Sequence, residues 1–272
     1  MKERPGQQTV QSAVQEERRI YLIRALQAEM PQYGELEIPW EETDQKRLLR
    51  SLMNLRPPLP AAREFLRVQD AYLSEEVRAK GIVDGTRLTA VGADRRMVLW
   101  RGDITRLKVD GIVNAANSAL LGCFQPCHSC IDNIIHSLAG VQLRLACDEI
   151  MRAQGHEEPV GRAKITPGFN LPCSYVLHTV GPVVAGPLQE RDCRLLASCY
   201  ESCLKLAVKN GLRSVAFCCI STGVFHFPQD RAAEIAVETV SRFLDRSDAI
   251  RQVIFDVFTD VDLTLYRNLL DN

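Results

Sequence analysis

Apolar residues recur at helical spacing through the first 80 residues of the chain. Three such stripes predict three helices, containing Val10–Leu26, Leu48–Leu55 and Ala61–Lys80. The second helix must end before Pro57, because proline disfavours helical backbone in the residue that precedes it. The segment carries no motif for catalysis or ligand binding. This favours a packed helical extension over the alternative, a docking element for a partner or substrate.

The pattern changes after Gly81, where short apolar runs alternate with longer amphipathic segments. The runs predict strands at Met97–Trp100, Gly111–Asn114, Ala163–Thr166, Tyr175–Thr179, Ser214–Ile220 and Val253–Phe258. The amphipathic segments predict helices at Ile131–Gln154 with a break near Gly140, Gln189–Asn210, Gln229–Leu244 and Asp260–Leu270. Apolar strands separated by helices favour a mixed or mostly parallel sheet covered on both faces, which is a three-layer α/β/α domain. Ligands in such domains bind beyond the carboxyl ends of the strands.

Charge and composition narrow the classes of function. The chain has 272 residues, 46% of them hydrophobic, and a net charge of -1, so long nucleic acid is not an expected partner. The first eight residues, Met1–Gln8, lack the apolar core of a signal peptide, and no apolar run is long enough to span a membrane. We therefore expect a cytoplasmic protein whose ten cysteines are reduced thiols.

Three thiols and one imidazole lie within eight residues, between Cys123 and Cys130. Thiolate and imidazole are the ligands that zinc prefers, and a metal that retains one open position is typical of catalysis. We predict that Cys123, His128 and Cys130 bind zinc, with Cys127 as a spare thiol. The alternative is a packed or oxidation-prone cysteine cluster without metal.

Three further segments stand at predicted strand ends. Asp103 could accept a hydrogen bond from an exocyclic amine such as that of adenine, or cap a turn. Asn114 and Asn117 suit sugar hydroxyls, although asparagine is also common in turns. The loop Ser221–Pro228 lies between a strand and a helix and could present N–H groups to a diphosphate, or be an ordinary connection.

Other titratable residues are ambiguous. Asp132 and His136 share one helix face, so either could support a metal ligand or act in acid–base chemistry. The alternatives are helix capping by Asp132 and a buried His136 with satisfied hydrogen bonds, which we favour for His136. His178 is expected to be a strand residue with a local hydrogen bond, and His226, on the predicted phosphate loop, is a second candidate for chemistry.

Taken together, these segments resemble macrodomains, which bind ADP-ribose and in several cases remove it from proteins. The matching motifs, in the family's order, are Gly102–Thr105, Val113–Ser118, Ile135–Gly140 and Ser221–Phe225. The resemblance covers about residues 85–272 and leaves residues 1–84 as a helical N-terminal extension. Where many macrodomains carry a run of glycines after the second motif, this chain has the Cys/His cluster. That departure resembles the zinc-dependent macrodomains of bacteria.

The resemblance implies a role for each predicted site residue. Asp103 would bind the adenine amine with the Ile104 N–H nearby, and Asn117 would hold the distal ribose. The diphosphate and adjoining ribose would be wrapped by Ser221, Thr222, Gly223, Val224 and Phe225. Zinc would lie beside the distal ribose on Cys123, His128 and Cys130, with Asp132 and Asn117 as catalytic candidates.

The implied function is zinc-dependent removal of mono-ADP-ribose from acidic side chains of modified proteins. The resemblance also implies a sirtuin-linked modification system in which a lipoylated carrier protein is a candidate partner. One alternative is a non-catalytic reader of ADP-ribose with structural zinc. Another is a redox-sensing thiol cluster without ADP-ribose affinity, which reversible oxidation with zinc release would support.

Overall fold

The computed structural model describes residues 5–92 and 94–271, within which the chain forms eight α-helices and eight strands. The helices are α1 Pro5–Glu29, α2 Glu42–Leu55, α3 Arg63–Lys80, α4 Ile131–Ala139, α5 Val141–Gln154, α6 Glu190–Lys209, α7 Gln229–Leu244 and α8 Asp260–Leu270. The strands are β1 Val83–Asp84, β2 Met97–Arg101, β3 Leu107–Lys108, β4 Gly111–Ala116, β5 Ala163–Pro167, β6 Tyr175–Val180, β7 Ser214–Phe217 and β8 Gln252–Val257. Residues 1–4, 93 and 272 lie outside the described residues. The helix predicted to contain Val10–Leu26 lies within α1.

The central sheet has six strands in the order β2-β8-β7-β4-β6-β5. Neighbouring strands run parallel except β5, which lies antiparallel to β6 at one edge. Helices α6, α7 and α8 pack side by side, and α4 and α5 pack against each other and the strands. The predicted three-layer α/β/α architecture with a mixed sheet is confirmed.

The three N-terminal helices have an apolar core of their own. Leu22, Leu26, Leu52 and Phe65 are buried in it, and Val141 at the start of α5 joins it. The predicted packed helical extension is therefore confirmed, whereas the domain boundary at residues 84 and 85 remains a prediction. Among the described residues, no helix combines the length and apolar composition that a bilayer span requires.

Several boundaries differ from the prediction. The apolar run Ser214–Ile220 still has a buried residue at its end, Ile220, but strand pairing stops at Phe217, because burial does not require strand hydrogen bonds. Phe258 was predicted to end a strand, yet β8 ends one residue earlier and Phe258 is 81% exposed. The two-residue pairing of β1 with β3 was not predicted, because two residues are too few to establish a period. The break at Gly140 is confirmed by its φ of +98° between α4 and α5.

Candidate functional site

The carboxyl ends of five parallel strands meet at one edge of the sheet. In spatial order, β2 leads to Asp103, β8 to Phe258, β7 to the loop Ser221–Phe225 and β4 to Asn117. Three strand spacings separate the first from the last, or about 14 Å. The sheet therefore arranges the predicted ligand-binding segments as a row in which the candidate phosphate loop stands between Asp103 and Asn117.

Asp103 caps a turn and is half-buried. Its Oδ1 accepts a hydrogen bond from the Thr105 N–H at 3.0 Å and another from the Thr105 hydroxyl. The hydrogen bonds formed within the described residues use only this oxygen, which leaves Oδ2 available to an external donor such as an amine. Ile104 is buried beneath the turn with 1% of its surface exposed. Capping and ligand binding are thus compatible at this carboxylate.

The loop after β7 has the geometry of an anion-binding turn. Ser221 and His226 have φ values of +66° and +57°, and the Phe227 N–H closes the loop onto the Ser221 carbonyl at 3.0 Å. Throughout the described part of the chain, no hydrogen bond uses the N–H groups of residues 222–225. Consecutive free N–H groups ahead of a helix such as α7 suit a diphosphate. His226 lies exposed at the end of this loop.

Asn117 links the end of β4 to the loop of residues 117–130, called the cysteine loop below. Its Nδ2 donates to the Gly122 carbonyl at 3.0 Å and to Asp132 Oδ2 at 3.2 Å, while its Oδ1 accepts the Ala119 N–H at 3.1 Å. Both N–H bonds of the amide are therefore used within the protein. A ribose hydroxyl would be left with the second lone pair of Oδ1.

Asp132 is buried below Asn117, with 5% of its surface exposed. Its Oδ1 accepts a hydrogen bond from Asn114 Nδ2 at 2.8 Å, so its two oxygens meet two asparagine amides. Burial raises the pKa of Asp132 to about 6, although the Asn114 hydrogen bond opposes this. In this arrangement Asp132 orients Asn117.

Two histidines lie beneath the same residues. His178, on β6, is buried with Nε2 2.9 Å from the Thr166 hydroxyl and Nδ1 3.2 Å from Asn114 Nδ2, which confirms the predicted strand histidine with a local hydrogen bond. His136 was expected to have satisfied hydrogen bonds, and this is wrong: within the described residues, neither ring nitrogen has a partner. Its nearest carboxylate oxygen, Asp132 Oδ1, is 3.5 Å away and already accepts from Asn114. Burial lowers the pKa of both imidazoles.

Cys123, His128 and Cys130 converge as predicted. One potential ligand atom from each lies within 4.8 Å of the others, and Cys123 Sγ is 3.7 Å from His128 Nδ1. Ligands of a tetrahedral zinc are about 3.5–3.8 Å apart, from the usual Zn–S and Zn–N bond lengths. Two thiols and one imidazole also match the donor chemistry of zinc, so the three residues fit this metal.

Cys127 points elsewhere, towards helix α2. Its Sγ lies 3.3 Å from the Ser51 hydroxyl and 3.4 Å from the Arg47 carbonyl, and its φ is +52°. It is absent from the group of converging ligand atoms formed by the described residues. The expectation that Cys127 is the spare thiol agrees with this geometry.

Cys130, and not Asp132, caps helix α4. Its Sγ accepts the Asn133 N–H at 3.4 Å, which satisfies one of the free donors at the helix start. Burial raises the pKa of the Cys130 thiol to about 11. Since cysteine binds zinc as a thiolate, binding of the metal would release this proton.

Arg50 on α2 and Asn133 on α4 contact the cysteine loop, and no motif in the sequence indicates either residue. Phe258, predicted to end a strand, instead follows β8 directly and is exposed, and β8 pairs with β2, the strand that leads to Asp103. The signal for an exposed Phe258 is its position directly after a buried strand, because the carboxyl ends of the strands form the ligand-binding edge.

Comparison with known proteins identifies the fold family. The family model described as "Macro domain" matches residues 113–236. A protein of Treponema medium named protein-ADP-ribose hydrolase is 57% identical over 258 residues, which cover 94% of this chain and 99% of the relative. The chain belongs to the macrodomain family. A second relative of this macrodomain, from Staphylococcus aureus strain MSSA476 and with the same name, is 52% identical over 91% of this chain and 92% of its own length.

A solved structure agrees with this assignment. The Trypanosoma brucei macrodomain in complex with ADP-ribose is 31% identical, with a TM-score of 0.63. The alignment covers 80% of this macrodomain and 94% of the trypanosome chain.

Proposed function

We propose that this macrodomain is a zinc-dependent hydrolase that removes mono-ADP-ribose from acidic side chains of modified proteins. ADP-ribose would lie along the carboxyl edge of the sheet, with adenine at Asp103 and the diphosphate on Ser221–Phe225. The distal ribose would lie at Asn117. Two full-length relatives named protein-ADP-ribose hydrolase and a macrodomain solved with ADP-ribose support the class of reaction and ligand.

The hydrogen bonds of Asn117 carry the proposal. Its amide donates to the carbonyl of Gly122, which precedes Cys123, and to Asp132, which is two residues past Cys130. Hydrogen bonds therefore connect Asn117, the residue predicted to bind ribose, to the loop that carries Cys123 and Cys130. A ligand reaching Asn117 would place its anomeric carbon beside the converging thiols and imidazole.

The protein residues have distinct tasks in this proposal. The N–H groups of residues 222–225 bind the diphosphate and so fix the position of the distal ribose. Asp132 holds the Asn117 amide, and Asn114 holds Asp132 in turn. Cys123, His128 and Cys130 would hold the zinc. When bound, the metal supplies Lewis acidity, which two thiolates moderate so that orientation and polarisation of the ligand are favoured over activation of water.

A reader with structural zinc is the alternative. Structural zinc usually has four protein ligands, and the candidate for a fourth ligand here is the thiol of Cys127. Its contacts with Ser51 and Arg47 direct it away from the other three, which supports an open coordination position. The lipoylated carrier protein that the family resemblance implies as a partner remains a prediction.

The test separates binding from hydrolysis. The substrate is a protein mono-ADP-ribosylated on acidic side chains, and ADP-ribose binding is measured by calorimetry. We expect Cys130→Ala to lower the hydrolytic rate by about 100-fold while the Kd for ADP-ribose changes little. Cys193→Ala is the matched control, because Cys193 is a half-buried cysteine on α6. Full hydrolysis by the Cys130→Ala protein would overturn the proposal, and tight binding without hydrolysis by the unmodified protein would favour the reader.

A further inference from the structure

We propose that Arg50 and Asn133 are positioning residues for all three predicted zinc ligands, and that the N-terminal extension therefore serves the metal site. The inference rests on the proposed function, because it takes Cys123, His128 and Cys130 as the ligands. Arg50 lies on α2, and Asn133 lies in the first turn of α4.

Asn133 contacts two of the three ligands directly. Its side chain is fully buried, and Nδ2 donates to the Cys123 carbonyl at 3.3 Å and to the Gln125 carbonyl at 2.8 Å. Its backbone N–H donates to Cys130 Sγ at 3.4 Å. One residue therefore holds the backbone at Cys123 and orients the thiol of Cys130.

Arg50 contacts the third predicted ligand, His128, and also holds the side chain of Asn133. Its Nη2 donates to the His128 carbonyl at 2.7 Å and to Asn133 Oδ1 at 2.7 Å, and its Nε donates to the same Oδ1 at 3.2 Å. Hydrogen bonds from a charged guanidinium are stronger than those between neutral groups, and its planar shape holds both acceptors in one geometry. The orientation of the Asn133 amide is fixed by this arrangement, since its oxygen faces Arg50 and its nitrogen faces the loop.

Helix α2 is itself held in place at its C-terminal end. Asn54 accepts the Cys127 N–H at 2.9 Å and donates to the Ser137 hydroxyl at 2.8 Å. Arg144, from α5, donates to the carbonyls of Met53 and Asn54 at 3.2 and 2.9 Å, which belong to the last turn of α2. These contacts connect α2 to both the cysteine loop and the helices beneath it.

The loop needs such support because it has little regular structure. Residues 117–130 contain neither helix nor strand, so the ligands depend on side-chain contacts for their positions. Ordering these residues in advance lowers the entropy that metal binding would otherwise cost. Partners beyond the direct ligands typically change metal affinity or activity by about 10–100-fold when removed.

The experiment measures zinc affinity in the full chain by competition with a chromophoric chelator. Arg50→Ala and Asn133→Asp are compared with Arg47→Ala, the exposed arginine three residues before Arg50. Asn133→Asp retains the shape and the acceptor for Arg50 but loses the two Nδ2 donors. We expect about 10–100-fold weaker zinc binding for both variants and no change for Arg47→Ala. Arg50→Lys, which provides a charge without the fork, should restore part of the affinity.

Amide hydrogen exchange of residues 123–130 in the metal-stripped proteins provides a second readout that does not depend on activity. Faster exchange in Arg50→Ala than in Arg47→Ala is expected. If the unmodified chain binds zinc, equal exchange in these two variants, or equal zinc affinity of the two, would overturn the inference. The unmodified chain could instead fail to bind zinc while loop exchange is faster in Arg50→Ala than in Arg47→Ala. This outcome would refute the proposed metal and leave the loop-positioning role standing.

Discussion

Replacing Gly122 by alanine would place a methyl group against a buried ring. Gly122 has a φ of +76°, and a Cβ built there lies 2.8 Å from His136 Cγ and 2.9 Å from His136 Nδ1. Real Cβ atoms essentially never approach another atom so closely, and the imidazole is buried, with 4% of its surface exposed. We expect Gly122→Ala to lower the free energy of unfolding through backbone strain and overpacking together.

The two costs can be separated with a second glycine. A left-handed backbone costs a non-glycine residue about 1–2 kcal/mol, and overpacking a core costs about 1–3 kcal/mol more. Gly155 has a φ of +77°, and a Cβ there meets no heavy atom of the described chain within 4 Å. Gly155→Ala should therefore show only the first cost, and Gly122→Ala should be less stable than it by about 1–3 kcal/mol.

Equilibrium urea unfolding of the metal-stripped chain measures both variants. Equal slopes with a lower midpoint for Gly122→Ala would report a true loss of stability. Because the Gly122 carbonyl accepts from Asn117, the same variant should also bind ADP-ribose more weakly, whereas Gly155→Ala should not. Equal destabilisation by the two substitutions would refute the proposed packing of Gly122 on His136.

Three further predictions concern separate residues. Asp103→Asn retains the Oδ1 cap on Thr105 but replaces Oδ2 with a donor. Calorimetry should therefore show about tenfold weaker ADP-ribose binding at unchanged stability. Unchanged affinity would exclude Asp103 from the ligand site. Phe258→Ala removes an exposed ring at the predicted adenine end and should likewise weaken binding by about tenfold without lowering the melting temperature, while equal affinity would place the ring outside the site. Burial lowers the pKa of His178 from 6.5 to about 4, so the unfolded state binds the extra proton as the pH drops through this range. The contribution of His178 alone should lower the free energy of unfolding by about 3 kcal/mol between pH 6.5 and 4. Urea unfolding at several pH values should show a shallower dependence for His178→Gln, and identical dependences would contradict a buried neutral His178.

The layers of the fold could be predicted from the sequence because the longer helices and strands have clear apolar patterns. The run Gln229–Leu244 matches α7 at both ends, and the positive φ of Gly140 separates α4 from α5 where the glycine indicated a break. Apolar runs were less reliable at strand ends. They report burial, so Ile220 was counted as strand although it is buried in a loop, and Phe258 was counted as strand although it is exposed.

The candidate site could be predicted only where its residues are close in sequence. Cys123, His128 and Cys130 lie within eight residues, so their convergence could be expected from their spacing. Arg50 and Asn133 could not be found in this way, because they are 83 residues apart and neither belongs to a motif. The unsatisfied ring of His136 was also beyond prediction, since it depends on Asn114 having already engaged the nearest carboxylate oxygen.

The most direct test of the central claim is release of ADP-ribose from a protein modified on acidic side chains. The protein is assayed as purified, after removal of metal with a chelator, and after addition of zinc to the stripped sample. We predict that stripping abolishes release, that zinc restores it, and that ADP-ribose binding persists in all three samples. Undiminished release by a stripped protein shown to contain no zinc would contradict the account.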